Sequence, residues 1–365
     1  MKHVQTQLVP DTEGRRSSFT RRQLLATTAG AAVAAGLCVR NGLAHASTIT
    51  LPVNDVATSP DPFNDGLAVP FYSKSFGIGK ERAIVLGGGG EYWVAWMLGY
   101  LHALQNSGVD LDLTDAYVGT SAGSLVGSAV SGGQMTRLTK EFDFFGDFPK
   151  LLARVIPTTE PNPSQLRTKL VALACTSSDV ATIQQLGRAA MASRNFDVTK
   201  LEDMVRVLTG ESSWPSPKMH TTSVDCYTGE RLVVTHGAGI PIKDACSASA
   251  SVPGNFGPTW LKNRLCMDGG MCQTSTHGDL VSGVKKLFLL SLTDGRPGSP
   301  RLSNMPNDIQ QEIRSLKQSG SDVFFVSANP KPGTNLLDPT AIAPAMRDGF
   351  ARGQAEAQVF KTFWA

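Results

Sequence analysis

Short runs of unbroken apolar residues punctuate this chain, and longer stretches with helical spacing separate them. Ala83-Ile84-Val85-Leu86, Ala116-Tyr117-Val118, Leu287-Phe288-Leu289-Leu290 and Val323-Phe324-Phe325-Val326 are apolar without alternation. Such strands have both faces covered, the condition in a parallel sheet packed between helices. Val94 to Leu104 has apolar residues at helical spacing and stops at Asn106 to Gly108. Gln134 to Ser216 reads as mostly helical, with segments near 180–192 and 198–209. Met219–Asp225 and Glu230–Thr235 read as a hairpin around Thr228-Gly229. Asp244 to Ser251 is a small-residue helix ending at Val252-Pro253-Gly254, and helices near 305–319 and 341–362 finish the chain. Strand, loop, helix, strand in succession predicts an α/β fold with a mostly parallel sheet. No internal repeat is visible.

The chemistry concentrates where the apolar runs end. The run before Val118 leads straight into Gly119-Thr120-Ser121-Ala122-Gly123, and a small-residue helix pattern follows from Ser124. Gly-x-Ser-x-Gly is a common string in a chain rich in Gly and Ser, and an ordinary glycine-rich turn also satisfies it. Its position between strand and helix is what points to a nucleophile. The turn pushes Ser121 outward, Gly119 and Gly123 leave room, and the helix N-terminus favours developing negative charge.

The run ending at Leu86 meets Gly87-Gly88-Gly89-Gly90. Phosphate cradling would require Gly-x-Gly-x-x-Gly, and Trp93 stands at the last position, too bulky for that role. A tight turn and an oxyanion hole remain. The oxyanion reading is preferred, with Gly88, Gly89 and Gly90 as donors, because the next strand delivers Ser121 to the same sheet end.

A serine needs a base. Asp268 follows the apolar end Leu265-Cys266-Met267 and precedes Gly269-Gly270, which would leave it exposed at the sheet rim. His277 is an alternative, giving the order Ser121, Asp268, His277 of an α/β-hydrolase triad. A capping or surface role for His277 is the plainer expectation. Phe142, Phe144, Phe145 and Phe148 read as core, with an acyl pocket or lipid-contacting lid as the other option.

Composition changes the picture at the N-terminus. Thr20-Arg21-Arg22-Gln23-Leu24-Leu25, a mildly apolar stretch to Val39 and Ala44-His45-Ala46 together read as a twin-arginine export signal over residues 1–46. Residues 47–80, rich in Pro and Asp, read as an extended arm, and 81–365 as the folded domain. Exported placement, periplasmic or secreted, is the expectation. Residues 1–46 hold six basic and two acidic residues, so their removal takes the chain from 34 basic and 31 acidic residues to 28 and 29. The remaining net charge of −1 gives no indication of a nucleic-acid partner. The five cysteines beyond residue 46 fit no metal spacing and read as buried small hydrophobes, a Cys266–Cys272 bridge being the alternative.

Leu86 to Gly90 with Ala95-Trp96 and Gly99, then Gly119 to Gly123, then Met267-Asp268-Gly269-Gly270 resemble the bacterial patatin-like phospholipases. Asp244 to Ser249 with Val252-Pro253-Gly254 is similar to the segment preceding that family's aspartate, and Asn335 to Pro339 resembles its C-terminal part. The resemblance covers roughly residues 80–360. It implies a three-layer α/β/α fold with a mostly parallel central sheet, and a Ser121–Asp268 dyad without a catalytic histidine. It also implies hydrolysis of lipid acyl esters through an acyl-enzyme, without metal or cofactor. The implied partner is a lipid or acyl-ester substrate, with transient contact to a membrane surface. One departure stands out: many members carry a basic residue and then glycine after the glycine run, where this chain has Glu91-Tyr92-Trp93. Bulky Tyr92 and Trp93 beside the loop motivate another reading, a lipid-binding protein that keeps the fold without turnover.

Overall fold

Eight strands form one mixed sheet in the computed structural model, which describes residues 76–151, 161–194, 199–209, 213–272, 274–306 and 308–365. The export signal, the arm up to residue 75 and the apolar stretch after Leu151 lie outside the described residues. The strands are β1 (Arg82–Leu86), β2 (Ala116–Thr120), β3 (Met219–Asp225), β4 (Arg231–Thr235), β5 (Thr259–Leu261), β6 (Arg264–Asp268), β7 (Lys286–Ser291) and β8 (Asp322–Ser327). β3, β2, β1, β7 and β8 lie side by side in parallel, while β4 and β6 run antiparallel to β3, and β5 to β6.

The helices are α1 (Gly90–Asn106), α2 (Ala122–Ser131), α3 (Met135–Asp147), α4 (Pro163–Ala174), α5 (Val180–Ala192), α6 (Thr199–Thr209), α7 (Ile242–Ser249), α8 (Ile309–Gln318) and α9 (Ile342–Trp364). Alternate residues of the central strands separate onto two cores, as the pleat requires. Ile84, Leu86, Phe288 and Leu290 join α1, α2, α3, α6 and α9 on one face. Ala83, Val85, Leu287 and Leu289 join α8 and the turn around Leu280 on the other. The architecture is three layers, one outer layer thick and the other thin.

The position of the site follows from β3. Each strand has two hydrogen-bonding edges, and β4 occupies one of them from His220 to Val224. β2 and β6 therefore share the opposite edge. Tyr117–Thr120 pair with Met219–Thr222, and Cys266–Asp268 pair with Ser223–Asp225. β2 runs with β3 and β6 runs against it, so the two meet end to end. Thr120 lies opposite Thr222, and Asp268 lies opposite the next residue, Ser223.

The parallel strands and most helices fall where the apolar pattern puts them. β5 was not legible, because Trp260 between Thr259 and Leu261 is exposed and the strand is only three residues long. α7 begins at Ile242, directly after Pro241, and α8 begins at Ile309, four residues later than the pattern suggested. The phenylalanine cluster divides: Phe142 is buried and Phe145 packs against the core, whereas Phe144 and Phe148 are half exposed. All five described cysteines are buried and none is in a disulfide, so Cys266 and Cys272 form no bridge.

α1 and α9 pack with almost no separation. A Cβ added at Gly349 would lie 2.1 Å from the Trp96 carbonyl oxygen, and one at Gly99 2.1 Å from that of Met346. Backbone meets backbone there and cannot yield as a side chain can. Gly349→Ala is expected to cost about 2–3 kcal/mol, read as a lower urea midpoint with an unchanged slope.

Candidate active site

The end-to-end joint of β2 and β6 puts two chemical groups at one place. Ser121 follows β2 directly with φ 52° and ψ −121°, a left-handed backbone that non-glycine residues rarely adopt. The cost of such a residue, about 1–3 kcal/mol, is met by hydrogen bonds on both sides. Ser121 N–H donates to Ser249 Oγ at 2.8 Å, and the Ser121 carbonyl accepts from Ser124 N–H at 2.9 Å and Ser124 Oγ at 2.7 Å. The flanking glycines are required for space. A Cβ at Gly123 would sit 1.9 Å from the Leu86 carbonyl oxygen, and one at Gly119 2.5 Å from that of Gly123.

Asp268 ends β6 and is buried, not exposed at the rim as its glycine-rich context suggested. Its N–H donates to the Ser251 carbonyl at 3.0 Å, and its Oδ1 accepts from Gly270 N–H at 2.7 Å. Gly269 presses on β3, where a Cβ would lie 2.4 Å from Thr222 Oγ1. Burial raises the Asp268 pKa to about 7, against a lowering influence from the Ser121 hydroxyl and Gly270 N–H. Asp268 Oδ2 nevertheless makes no hydrogen bond of full geometry among the described residues. The Ser121–Asp268 contact is thus looser than an ordinary hydrogen bond. Both residues line one open cleft of about 730 Å³ together with Gly88, Gly89 and Gly270.

The glycine loop needs a correction. Gly88 N–H is committed to the Ser275 carbonyl at 3.0 Å, and Gly87 N–H to Leu290 at 2.9 Å, so Gly88 is not a free oxyanion donor. Gly88 instead lets the loop close on Ser121, its Cβ position lying 3.2 Å from Ser121 Cβ. Gly89 and Gly90, at the start of α1, keep backbone amides that no described carbonyl accepts. Trp93 does not narrow the site. It is fully buried, its Nε1–H donates to the Gly87 carbonyl at 2.9 Å, and it stacks on Trp96. Tyr92 N–H donates to the Leu336 carbonyl at 3.1 Å.

A second, open cavity also reaches Ser121. Its walls are apolar: Val94, Leu125, Phe142, Phe145, Leu208 and Phe256 among them. Glu91 stands at its edge, its pKa raised to about 7 by burial and then by Asp338. The basic groups near the site come from elsewhere, since Arg296 and Arg301 border the first cleft. Arg296 is paired with Asp294 at 2.6 Å.

His277 is not with them. It is fully buried and lines neither cavity, and its Nε2 lies 2.8 Å from the Gly269 carbonyl oxygen. A carbonyl only accepts, so Nε2 carries the proton. Nδ1 faces Arg231 Nη1 at 3.2 Å. Burial, then Arg231, pushes its pKa down to about 4. With both ring nitrogens engaged, it has no lone pair to offer Ser121, and the triad order is not realised.

A model of the patatin-like phospholipase family matches residues 84–280, more than half of the chain. The chain belongs to the patatin-like phospholipase family. That family is one of lipid acyl hydrolases, and its matched region runs from β1 through both residues of the joint. No curated protein matches this patatin-like chain. Among solved structures it is similar to VipD from Legionella pneumophila, at 12% identity over 77% of this chain and 67% of that one, with a TM-score of 0.40. It is also similar to the type III effector protein ExoU, at 15% identity over 77% of this chain and a TM-score of 0.33. The complex of ExoU with SpcU from Pseudomonas aeruginosa matches at 16% identity over 79%, with a TM-score of 0.33. The chain spans about half the length of ExoU.

Ser249 and Ser251 escaped the sequence reading. They stand out only as serines in a helix end that is otherwise apolar and buried, which is a weak signal for backbone clamping.

The buried carboxyl has a stability consequence. Its folded pKa lies above its unfolded one, so the fold is favoured below about pH 4 and loses stability as pH rises through about 7. Asp268→Asn is expected to be more stable than the native chain at about pH 8, by about 2–4 kcal/mol. The gap should close near pH 4 when the two melts are compared.

Proposed function

We propose that this chain hydrolyses carboxylic esters of lipids through an acyl-enzyme on Ser121, with Asp268 as general base. The observation that carries the reading is the joint on β3, where the strand end bearing Ser121 abuts the strand end bearing Asp268. Asp268 takes the hydroxyl proton, and Ser121 Oγ attacks the ester carbonyl. The Gly89 and Gly90 amides receive the negative oxygen. Collapse expels the alcohol, which takes the proton from Asp268. Water, deprotonated by the same carboxylate, then releases the fatty acid. Asp268 needs a proton affinity high enough to serve as a base, and its dry surroundings supply that.

The two cavities suit two ends of an ester. The apolar cavity fits an acyl chain, and the more polar cleft fits the alcohol, with Arg301 at its rim for a polar or anionic head group. A base at this position in the fold accounts for the reaction without a histidine.

The test uses p-nitrophenyl esters. The native chain should show burst release of nitrophenol, with kcat/KM rising through an apparent pKa of about 7 to an alkaline plateau. Ser121→Ala and Asp268→Asn should each lose at least about a thousandfold in kcat. Full activity in either variant would remove the dyad. The acyl assignment is tested separately with Leu125→Phe, whose larger ring narrows the apolar cavity. It should lower kcat/KM for long-chain esters at least about tenfold and leave acetyl esters nearly unchanged.

A further inference from the structure

The turn from Thr274 to Gly278 touches both halves of the site, and its Ser275 lines the cleft. Its Ser275 carbonyl accepts Gly88 N–H at 3.0 Å, and its His277 reaches the Gly269 carbonyl at 2.8 Å. Both bonds end on loops that carry the proposed chemistry.

The turn is itself held from two sides. On α8, Glu312 Oε2 accepts from the Thr276 hydroxyl at 2.6 Å, and Oε1 from Gly278 N–H. From β4, Arg231 is fixed by Asp279 at 2.8 Å and points Nη1 at His277 Nδ1. A guanidinium always donates, so the facing Nδ1 must be the acceptor. That leaves the proton on Nε2, the nitrogen facing Gly269. Arg231 thereby selects the tautomer that can hold a carbonyl. His277 also stands at φ 56°, a backbone that costs stability for a non-glycine residue and that the surrounding bonds maintain.

We propose that His277 is a positioning residue for Asp268: its Nε2–H holds the Gly269 carbonyl, and so fixes the turn whose Gly270 N–H orients the Asp268 carboxylate. The assignment rests on the dyad reading given above. His277 never touches the substrate and transfers no proton. Without its hydrogen bond the Gly269 carbonyl keeps only the weak Cys272 thiol donor at 3.8 Å, and its peptide, which also carries the Gly270 N–H, can rotate. The Gly270 bond to Asp268 Oδ1 then loosens, and the carboxylate loses its aim at Ser121.

Three substitutions in the full chain test this with p-nitrophenyl butyrate, alongside Ser121→Ala and Asp268→Asn as controls. His277→Gln keeps an amide N–H near the Nε2 position. His277→Leu has no donor. His277→Asn suits a left-handed backbone better than either, but its amide falls one bond short. The expected order of kcat is native, then Gln within about threefold, then Asn and Leu at least about thirtyfold lower, with KM within about twofold throughout. The acid limb of the pH profile should move upward in Asn and Leu and stay in place in Gln, because the Gly270 N–H favours the ionised carboxylate. If Leu fails to fold, the Gln-over-Asn order decides alone, since backbone preference predicts the reverse. Equal kcat for Gln and Asn, or an inactive but folded Gln, overturns the proposal. Activity surviving in Ser121→Ala or Asp268→Asn, or absent from the native chain, overturns the dyad itself and the positioning role with it.

Discussion

One edge of β3 is the constraint on which the rest depends. A strand edge offers a fixed row of donors and acceptors, and here two strands of opposite direction divide it. Neither β2 nor β6 can extend further without displacing the other. Each must leave the sheet at the same point, Thr120 opposite Thr222 and Asp268 opposite Ser223. The serine that follows one strand and the acid that ends the other are thus brought together by backbone pairing alone. No side-chain contact between them is needed to hold the arrangement.

The remainder of the site is the set of costs that this meeting imposes and the bonds that offset them. Ser121 adopts a strained backbone, so Ser249 and Ser124 secure the peptides on either side. Asp268 is desolvated, so Gly270 N–H donates to one carboxyl oxygen, and the Ser251 carbonyl accepts from the Asp268 N–H. The end of α7 and the turn after it hold both residues, Ser249 through its hydroxyl and Ser251 through its backbone carbonyl. Close approach dictates the glycines as well. Leu86 of β1 leaves no space at Gly123, and Thr222 of β3 leaves none at Gly269.

Much of this is written in the sequence, but unevenly. Strands buried on both faces, such as Ala83–Leu86 and Leu287–Leu290, announce themselves because nothing polar interrupts them. The Gly-x-Ser-x-Gly and Asp-Gly-Gly strings mark the two strand ends because tight space demands glycine there. What the sequence hides is pairing between distant segments. Nothing in Cys266-Met267-Asp268 says which strand it lies beside, or that the aspartate is buried. The Gly88 amide looks like a free donor until Ser275, far along the chain, is found accepting from it. His277 resembles a triad member by order alone, and only its contact with Gly269 shows its ring to be occupied. Trp93 reads as an obstacle by size, yet its indole N–H braces the glycine loop from beneath. β5 is lost because three residues carry too little pattern.

The five cysteines among the described residues, none in a disulfide, bear on how the molecule tolerates its surroundings. Every one is enclosed, at Cys175, Cys226, Cys246, Cys266 and Cys272. Burial lifts the thiols of Cys226 and Cys272 to about 12 and that of Cys246 to about 11, far from the reactive thiolate. No covalent crosslink between them contributes to this fold, so reducing and oxidising media leave it with the same stabilising contacts. Oxidants and alkylating agents gain access only when the core opens, which makes the rate of thiol modification a direct gauge of breathing in the layers around β3.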